Sequence, residues 1–373
     1  MAKFSLPGLE TLPLDRAYGW LDERLGVTEV VKFAKKKVVP EHAHSFWYYW
    51  GGMSLFFFMV QLISGILLLV YYRPGEGAYD SVRQIVYEID FGWLIRSAHS
   101  WAANLMVFSV FVHMFSAFFM KAYRGPREFG WWSGLGLLGM VTVFGFSGYL
   151  LPMDELAFFA TKVGLEIPKN MPGMRALIEN IVQGGPDVSS VTIQRFFALH
   201  VVVLPLLFLP LLTFHLWMVM KHGNAVPPGE EAKPAPERRT VPFFPNFFLK
   251  DLAMWLIALN VLAILAAFYP WPLGVQADPL APAPEGIHPE WYFMNQFELL
   301  KILGRILPGM TGEIAGVLVF TLGGVLWGLI PLYDTSSKNG ARARIATWFG
   351  FLAIAGLIGL TLLGYYEVAV THS

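Results

Sequence analysis

No cysteine occurs anywhere in the chain, which excludes a disulfide, a cysteine-ligated iron–sulfur cluster and a haem attached through thioether bonds. Any such centre the chain works with belongs to another subunit. Charge is nearly as scarce: Asp, Glu, Lys and Arg make up 14% of the 373 residues, against about 25% in soluble chains. Hydrophobic residues reach 55% and aromatic residues 16%, so a water-soluble globule is excluded. The few charges cancel, 27 basic against 27 acidic, and without a net field nucleic acid is not an expected partner. No repeat of fixed period is visible.

What the sequence does contain is long apolar runs. A hydrocarbon core about 30 Å thick needs about 20 helical residues, and charge-free stretches of that order occur at Ser45–Tyr72, Ser97–Met120, Gly130–Met153, Phe196–Met220, Leu252–Ala277, Ile314–Tyr333 and Ile345–Tyr366. Backbone amides inside a bilayer must find partners within their own segment or a closed barrel, so spans this apolar are predicted to be helices in a bundle. The expected fold class is an all-α integral membrane protein with seven transmembrane helices.

Residues 1–44 are charged and mixed, without a short apolar core and small-residue cleavage site, so the first span is expected to be an uncleaved signal anchor that leaves Met1 in place. The amphipathic stretch Tyr18 to Leu25 is expected to lie on the membrane surface with Trp20 as anchor. Lys35, Lys36 and Lys37 suit anionic headgroups, making membrane lipid an expected partner. Placing the N-terminal segment and the loops after the second, fourth and sixth spans on one side gathers 18 of the 27 Lys and Arg there. The positive-inside rule makes that the cytoplasmic, negative (n) side, with the other loops on the positive (p) side. A Pro-rich, charged linker at residues 227–245 then separates a four-helix domain, 45–226, from a three-helix domain, 246–373.

Four of the nine histidines fall within apolar runs, where an unpaired polar side chain is costly. His99 and His113 are 14 residues apart on the second span; His200 and His215 are 15 apart on the fourth. A 14-residue helical step returns to within about 40° of its starting direction and rises about 21 Å, so each pair presents two imidazoles near one face. Spans two and four run in the same direction, which sets His99 level with His200 and His113 level with His215. Two layers of facing imidazoles suit the axial positions of haem iron, and a haem closed on both faces suits electron transfer rather than oxygen chemistry. Two noncovalent haem b groups are expected, with all four histidines as iron ligands. Gly51 and Gly65 on the first span, and Gly134 and Gly148 on the third, repeat the 14-residue step and would leave clearance for a flat macrocycle.

At these residues the sequence resembles the cytochrome b family of the cytochrome bc and bf complexes. Tyr71-Tyr72-Arg73-Pro74, Phe91-Gly92-Trp93-Leu94-Ile95-Arg96-Ser97-Ala98-His99 and Gly148-Tyr149-Leu150-Leu151-Pro152 look like the plant-type, b-six branch, as does the 15-residue histidine step. Ala277-Asp278-Pro279 and Pro289-Glu290-Trp291-Tyr292 are similar to its separate subunit IV. The resemblance spans about residues 40 to 366 and suggests a fused b-six and subunit IV. Tyr49 stands about where the plant-type protein attaches an additional n-side haem through cysteine, so such a haem would be held noncovalently. Met153 stands where the relatives usually carry tryptophan.

The resemblance implies p-side quinol oxidation with bifurcation, one electron passing to a Rieske iron–sulfur partner and the other through both haems to an n-side quinone, contributing to proton-motive force. His99 and His200 would hold the p-side haem, His113 and His215 the n-side haem. A c-type cytochrome subunit, a cytochrome c or plastocyanin-type acceptor, and a homodimer are further implied partners. Quinol oxidation releases protons, and a carboxyl beside an apolar pocket has its pKa raised by desolvation; Glu290 is the candidate acceptor, with Tyr292 orienting the quinol. Taken by composition alone, the same four residues make an interfacial turn with an aromatic anchor. Residues 152–162 are expected to form a short helix lining that pocket, with Asp154 and Glu155 on its solvated face. Arg96 is expected at a haem propionate, with Arg195 either likewise or an interfacial anchor. Lys221 and His222 are candidates for an n-side propionate or quinone. His42, His44, His288 and His372 look like loop or terminal residues. Two other classes remain open on the residues alone: a dihaem membrane anchor of a dehydrogenase or hydrogenase, and a cofactor-free transporter whose histidines relay protons.

Overall fold

A computed structural model describes residues 13–307, 310–336 and 340–371; Met1 and His372 lie outside them. The chain starts with two amphipathic helices, α1 (Pro13–Leu25) and α2 (Val27–Lys36). They are separated at Gly26, whose left-handed backbone (φ 62°) turns the chain at no steric cost. Strand β1 (Val38–Glu41) follows, then α3 (Tyr49–Leu69), α4 (Ala78–Tyr87), α5 (Gly92–Phe119), α6 (Glu128–Tyr149) and α7 (Glu155–Lys169). After the single turn α8 (Arg175–Leu177), helices α9 (Ser190–Ala198) and α10 (Leu204–His222) form one continuous span through a π-helical turn at Leu199–Val203. The remainder is α11 (Pro228–Glu231), β2 (Arg239–Pro242), α12 (Phe248–Phe268), α13 (Trp291–Ile306), α14 (Met310–Tyr333) and α15 (Gly340–Thr371).

Among the described residues, seven helical stretches are long and apolar enough to cross a membrane: Ser45–Leu69, Gly92–Phe119, Glu128–Tyr149, Ser190–His222, Phe243–Phe268, Thr311–Tyr333 and Gly340–Val370. The protein is an all-α integral membrane protein. Its spans differ from the charge-free windows mainly at their ends. A charge-free window stops at the first charged residue, whereas the helix runs on to where long side chains find polar partners. The second span therefore begins at Gly92, not Ser97, and takes in Arg96; the fifth begins at Phe243, not Leu252, and takes in Lys250 and Asp251. The fifth ends at Phe268, ahead of Pro270 and Pro272, which cannot donate to a continuing helix.

The break in composition at residues 227–245 is not a break in packing. Its last residues form β2, which pairs antiparallel with β1 in the register Val39↔Val241. The fifth span packs with the first four rather than with the last two: Ala258 and Leu262 share a core with Phe57, Met106, Val141 and Phe208. A second core lies under the segment after the third span, built from Leu150, Phe158, Ile193 and Phe196. A third joins the two halves through Phe118, Tyr123, Trp131, Trp327 and Ala346.

That third core ends in a buried charge cluster. Asp334, fully buried after α14, accepts from the Tyr123 hydroxyl at 2.6 Å and from Arg124 Nη2 at 2.8 and 3.0 Å. Lys121 Nζ lies 3.6 Å from the same carboxylate and donates to Thr347 Oγ1 on α15 at 2.8 Å. The loop between α5 and α6 is thereby tied to α14 and α15. At the opposite end, Asp154 caps α7 by accepting from Ala157 N at 3.0 Å and also receives Gly274 N at 3.3 Å. Asp154, expected on a solvated face, is thus a link between two loops. The helix it caps runs from Glu155 to Lys169, beyond the expected Lys162.

Candidate functional site: two imidazole layers and a carboxyl-lined cavity

Helix α5 carries His99 and His113, and the α9–α10 span carries His200 and His215. His99 faces His200 and His113 faces His215, with ring centroids 6.4 Å apart in both layers and interplanar angles of 67° and 86°. The unequal steps of 14 and 15 residues stay in register because of the π-helical turn that contains His200. There Leu204 N–H bonds to Leu199 O, five residues back, which inserts one extra residue into the helix. Pro205 supplies the cause: its ring clashes with the carbonyl four residues earlier, so the preceding turn widens.

Each imidazole has a glycine opposite it. A Cβ added at Gly51 would stand 3.0 Å from His113 Cε1, at Gly65 3.3 Å from His99, at Gly134 3.1 Å from His215 and at Gly148 2.7 Å from His200. A metal–imidazole nitrogen bond is about 2 Å and the ring centre lies about 1 Å further back, so two axial imidazoles on one ion have centroids about 6 Å apart. Both layers fit the spacing of two imidazoles on one metal ion, and the four glycines leave room for the rings that would hold it. A cavity of about 150 Å³ runs beside the second layer, lined by His113, His215, Tyr48, Arg127 and His222 among others.

A separate cavity of about 360 Å³ is lined by Phe146, Tyr149, His288, Glu290, Tyr292 and Phe293 among others. Glu290 is the N-cap residue of α13. Burial pushes its carboxyl up to about 7, since an apolar wall disfavours the charged form. Burial likewise raises the Tyr292 phenol. Tyr292 packs against α6 at Gly145, where an added Cβ would meet its hydroxyl at 2.5 Å. The expected pair Glu290 and Tyr292 is therefore brought together at one apolar cavity. Tyr149 and His288 were not anticipated there; His288, expected as a loop residue, lines the cavity with its ring 5.5 Å from that of Tyr365. Tyr149 reaches the cavity only through the third span's packing against α13, whereas His288 stands two residues before Glu290 in the chain.

Residues 104–275 match the family described as cytochrome b(N-terminal)/b6/petB, and residues 276–372 the family described as cytochrome b(C-terminal)/b6/petD. A cytochrome bc complex cytochrome b subunit of Chlorobaculum thiosulfatiphilum is 47% identical over 358 residues, 95% of this chain and 82% of the relative. The chain belongs to the cytochrome b family. A menaquinol:cytochrome c reductase cytochrome b subunit of Bacillus subtilis is 38% identical over 222 residues, 57% of this chain and 99% of that one. Among solved structures, a chain of a hyperthermophilic respiratory Complex III superposes with a TM-score of 0.76 at 30% identity, covering 94% of this chain and 99% of that chain. Similarity to both the N-terminal and C-terminal families in one chain fits a fused b-six and subunit IV. Cytochrome b membership implies haem b.

In this cytochrome b Arg96 and Arg195 both have partners within the chain. The Arg96 guanidinium donates to Trp271 O at 2.8 Å and Pro272 O at 3.0 Å, tying the second span to the loop after the fifth. Arg195 donates to the carbonyls of Asn180 and Ile181. Of the expected n-side pair, His222 lines the cavity beside His113 and His215, while the Lys221 ammonium lies over the Trp217 ring at 5.4 Å. Met153 adopts a left-handed backbone (φ 54°) and packs into the core under α7. Tyr49 stacks on Phe247 with ring centres 4.8 Å apart. His42 hydrogen-bonds the Tyr48 hydroxyl at 2.7 Å in the segment before the first span. Asp251 is an unforeseen residue near the same end, set against Gly52, its Oδ1 buried without a hydrogen-bond partner among the described residues.

Proposed function

We propose that this cytochrome b is a catalytic subunit of a bc-type quinol:cytochrome c oxidoreductase complex, in which it carries two haem b groups and takes part in quinol oxidation. The observation that carries this reading is the pair of imidazole layers, each 6.4 Å across and each flanked by glycines on the neighbouring span. His99 and His200 would hold the p-side haem and His113 and His215 the n-side haem, with Gly51, Gly65, Gly134 and Gly148 leaving room for the four rings. When bound, the haems supply one-electron redox chemistry across the membrane.

The remaining chemistry rests on side chains of the chain itself. Glu290, with its carboxyl raised to about 7, accepts a proton from the quinol hydroxyl at the edge of the cavity and passes it outward, because a group near the working pH both takes and gives protons readily. Tyr292 fixes the ring, and the apolar walls from Phe146 and Phe293 exclude water. The partners are a Rieske iron–sulfur protein, which would take one electron, an n-side quinone, which would receive the other, and a c-type cytochrome. The complex is a homodimer in an energy-transducing membrane, with the N-terminus on the n side, and its turnover contributes to proton-motive force. An additional n-side haem would have to share space with the Tyr49–Phe247 stack.

A pyridine haemochrome count on the purified complex tests this reading. Two noncovalent haem b per chain are expected, with His99→Ala and His113→Ala each removing one. A chain that binds no haem would overturn the assignment and turn the four histidines into a transport or structural question.

A further inference from the structure

Three of the four layer imidazoles have a hydroxyl at Nδ1, and one does not. Ser64 Oγ lies 2.9 Å from His99 Nδ1, Ser147 Oγ 3.0 Å from His200 Nδ1 and Ser133 Oγ 3.0 Å from His215 Nδ1. Each of these serines immediately precedes one of the clearance glycines: Ser64-Gly65, Ser133-Gly134, Ser147-Gly148. At the fourth equivalent position the sequence reads Trp50-Gly51. His113 Nδ1 is buried without a hydrogen-bond partner among the described residues. Trp50 cannot stand in, since an indole N–H only donates. The hydroxyl of Ser54, one turn on, bonds Trp50 O at 2.9 Å and Ser109 Oγ at 3.0 Å and not His113.

The direction of the serine bonds follows from what else each hydroxyl does. Ser64 donates to Val60 O at 2.6 Å, Ser133 to Phe129 O at 2.7 Å and Ser147 to Phe144 O at 3.2 Å. With its hydrogen directed to a helix carbonyl, each Oγ presents a lone pair to the ring, and the imidazole Nδ1–H donates to it. That leaves Nε2 as the ligating nitrogen. A ligating histidine whose other N–H donates a hydrogen bond is a more basic ligand, and a stronger axial donor favours ferric over ferrous iron.

We infer that this serine pattern sets the two haems apart in potential: Ser64 and Ser147 lower the midpoint of the haem between His99 and His200, and Trp50, by withholding an acceptor from His113, leaves the other haem higher. The inference rests on the proposed haem ligation, and its distinct content is that Ser64, Ser133, Ser147 and Trp50 are positioning residues that act through the ligands.

The test is a spectroelectrochemical titration of the haem absorbance in the purified complex. Ser64→Ala, which removes one oxygen, is expected to raise one midpoint and leave the other in place. Ser133→Ala is expected to raise the other midpoint, and Trp50→Ser to lower it. A tenfold change in the ferric-to-ferrous binding ratio corresponds to about 59 mV for a one-electron couple. Should Trp50→Ser fail to accumulate, Ser133→Ala reads the same layer. Variants that keep both haems and superimpose on the parent titration overturn the inference while leaving haem ligation standing; so does a Ser64→Ala curve in which both midpoints move together. A parent chain without haem overturns the ligation itself.

Discussion

At Glu290 a single carboxyl combines two properties that a proton acceptor needs, a place on the wall of an apolar cavity and a pKa raised to about 7 by burial. The acceptor form is the carboxylate, and a raised pKa moves its appearance upward in pH. Quinol oxidation is therefore expected to be slow below pH 7 and to climb as pH rises through that value. Glu290→Gln, which keeps the shape and removes the titration, should slow turnover by about 100-fold, the lower range for a general base. It should also flatten that limb of the profile while leaving both haem spectra unchanged. Steady-state rates between pH 5 and 9 on the parent and the variant check both points; a variant with the parent's rate and profile removes Glu290 from the reaction. Glu290 and Tyr292 stand out in Pro289-Glu290-Trp291-Tyr292, but the cavity wall supplied by the third span does not. Phe146 and Tyr149 lie on a helix far away in the chain, and only packing brings them to the same cavity.

Among the elements, the fourth span shows how a local irregularity serves a long-range register. A 15-residue step on a regular helix would rotate the second imidazole by about 100° relative to a 14-residue step, and the two layers would not both close. The π-helical turn before Pro205 absorbs the extra residue. The histidine spacing is plain in the sequence; the turn that reconciles it with α5 is not, because wide turns depend on how freed carbonyls are accommodated by neighbours. The third span contributes the matching clearance. Gly148→Val would place a branched side chain where even a Cβ comes 2.7 Å from His200 Cε1. It is expected to cost the His99/His200 haem and spare the other. Gly139→Ala, on the same helix with nothing within 4 Å of the added Cβ, should retain both. Haem counts on the two variants decide the matter.

Taken whole, the molecule is two groups of spans held together at their ends by polar clasps. Asp334 is the centre of one, fully buried with Tyr123, Arg124 and Lys121 around its carboxylate. Removing one partner of a buried charge pair typically costs about 3–5 kcal/mol because the remaining charges stay buried and unpaired. Asp334→Ala is accordingly expected to lower the thermal unfolding midpoint of the purified protein, while Arg305→Ala at the exposed ion pair with Glu367 changes it little. A melt of Asp334→Ala that matches the parent would show that the clasp carries no stability. The clasp was hidden from inspection of the sequence, since Asp334 looks like any loop aspartate after a span and its partners lie more than two hundred residues earlier.

Composition and periodicity alone determined that this is a membrane bundle of seven helices with two histidine pairs on two spans. Apolar runs and helical spacing are local, and the bilayer leaves the backbone no alternative. Tertiary structure decided what the spacing could not: that the fifth span joins the first four, that Arg96 bonds the loop after the fifth span, that Phe146 and Tyr149 complete the Glu290 cavity, and that one imidazole of four lacks a hydroxyl at Nδ1. Each of these depends on contacts between residues far apart in the chain, whose geometry is set by how helices pack against one another and not by the order of residues along any one of them.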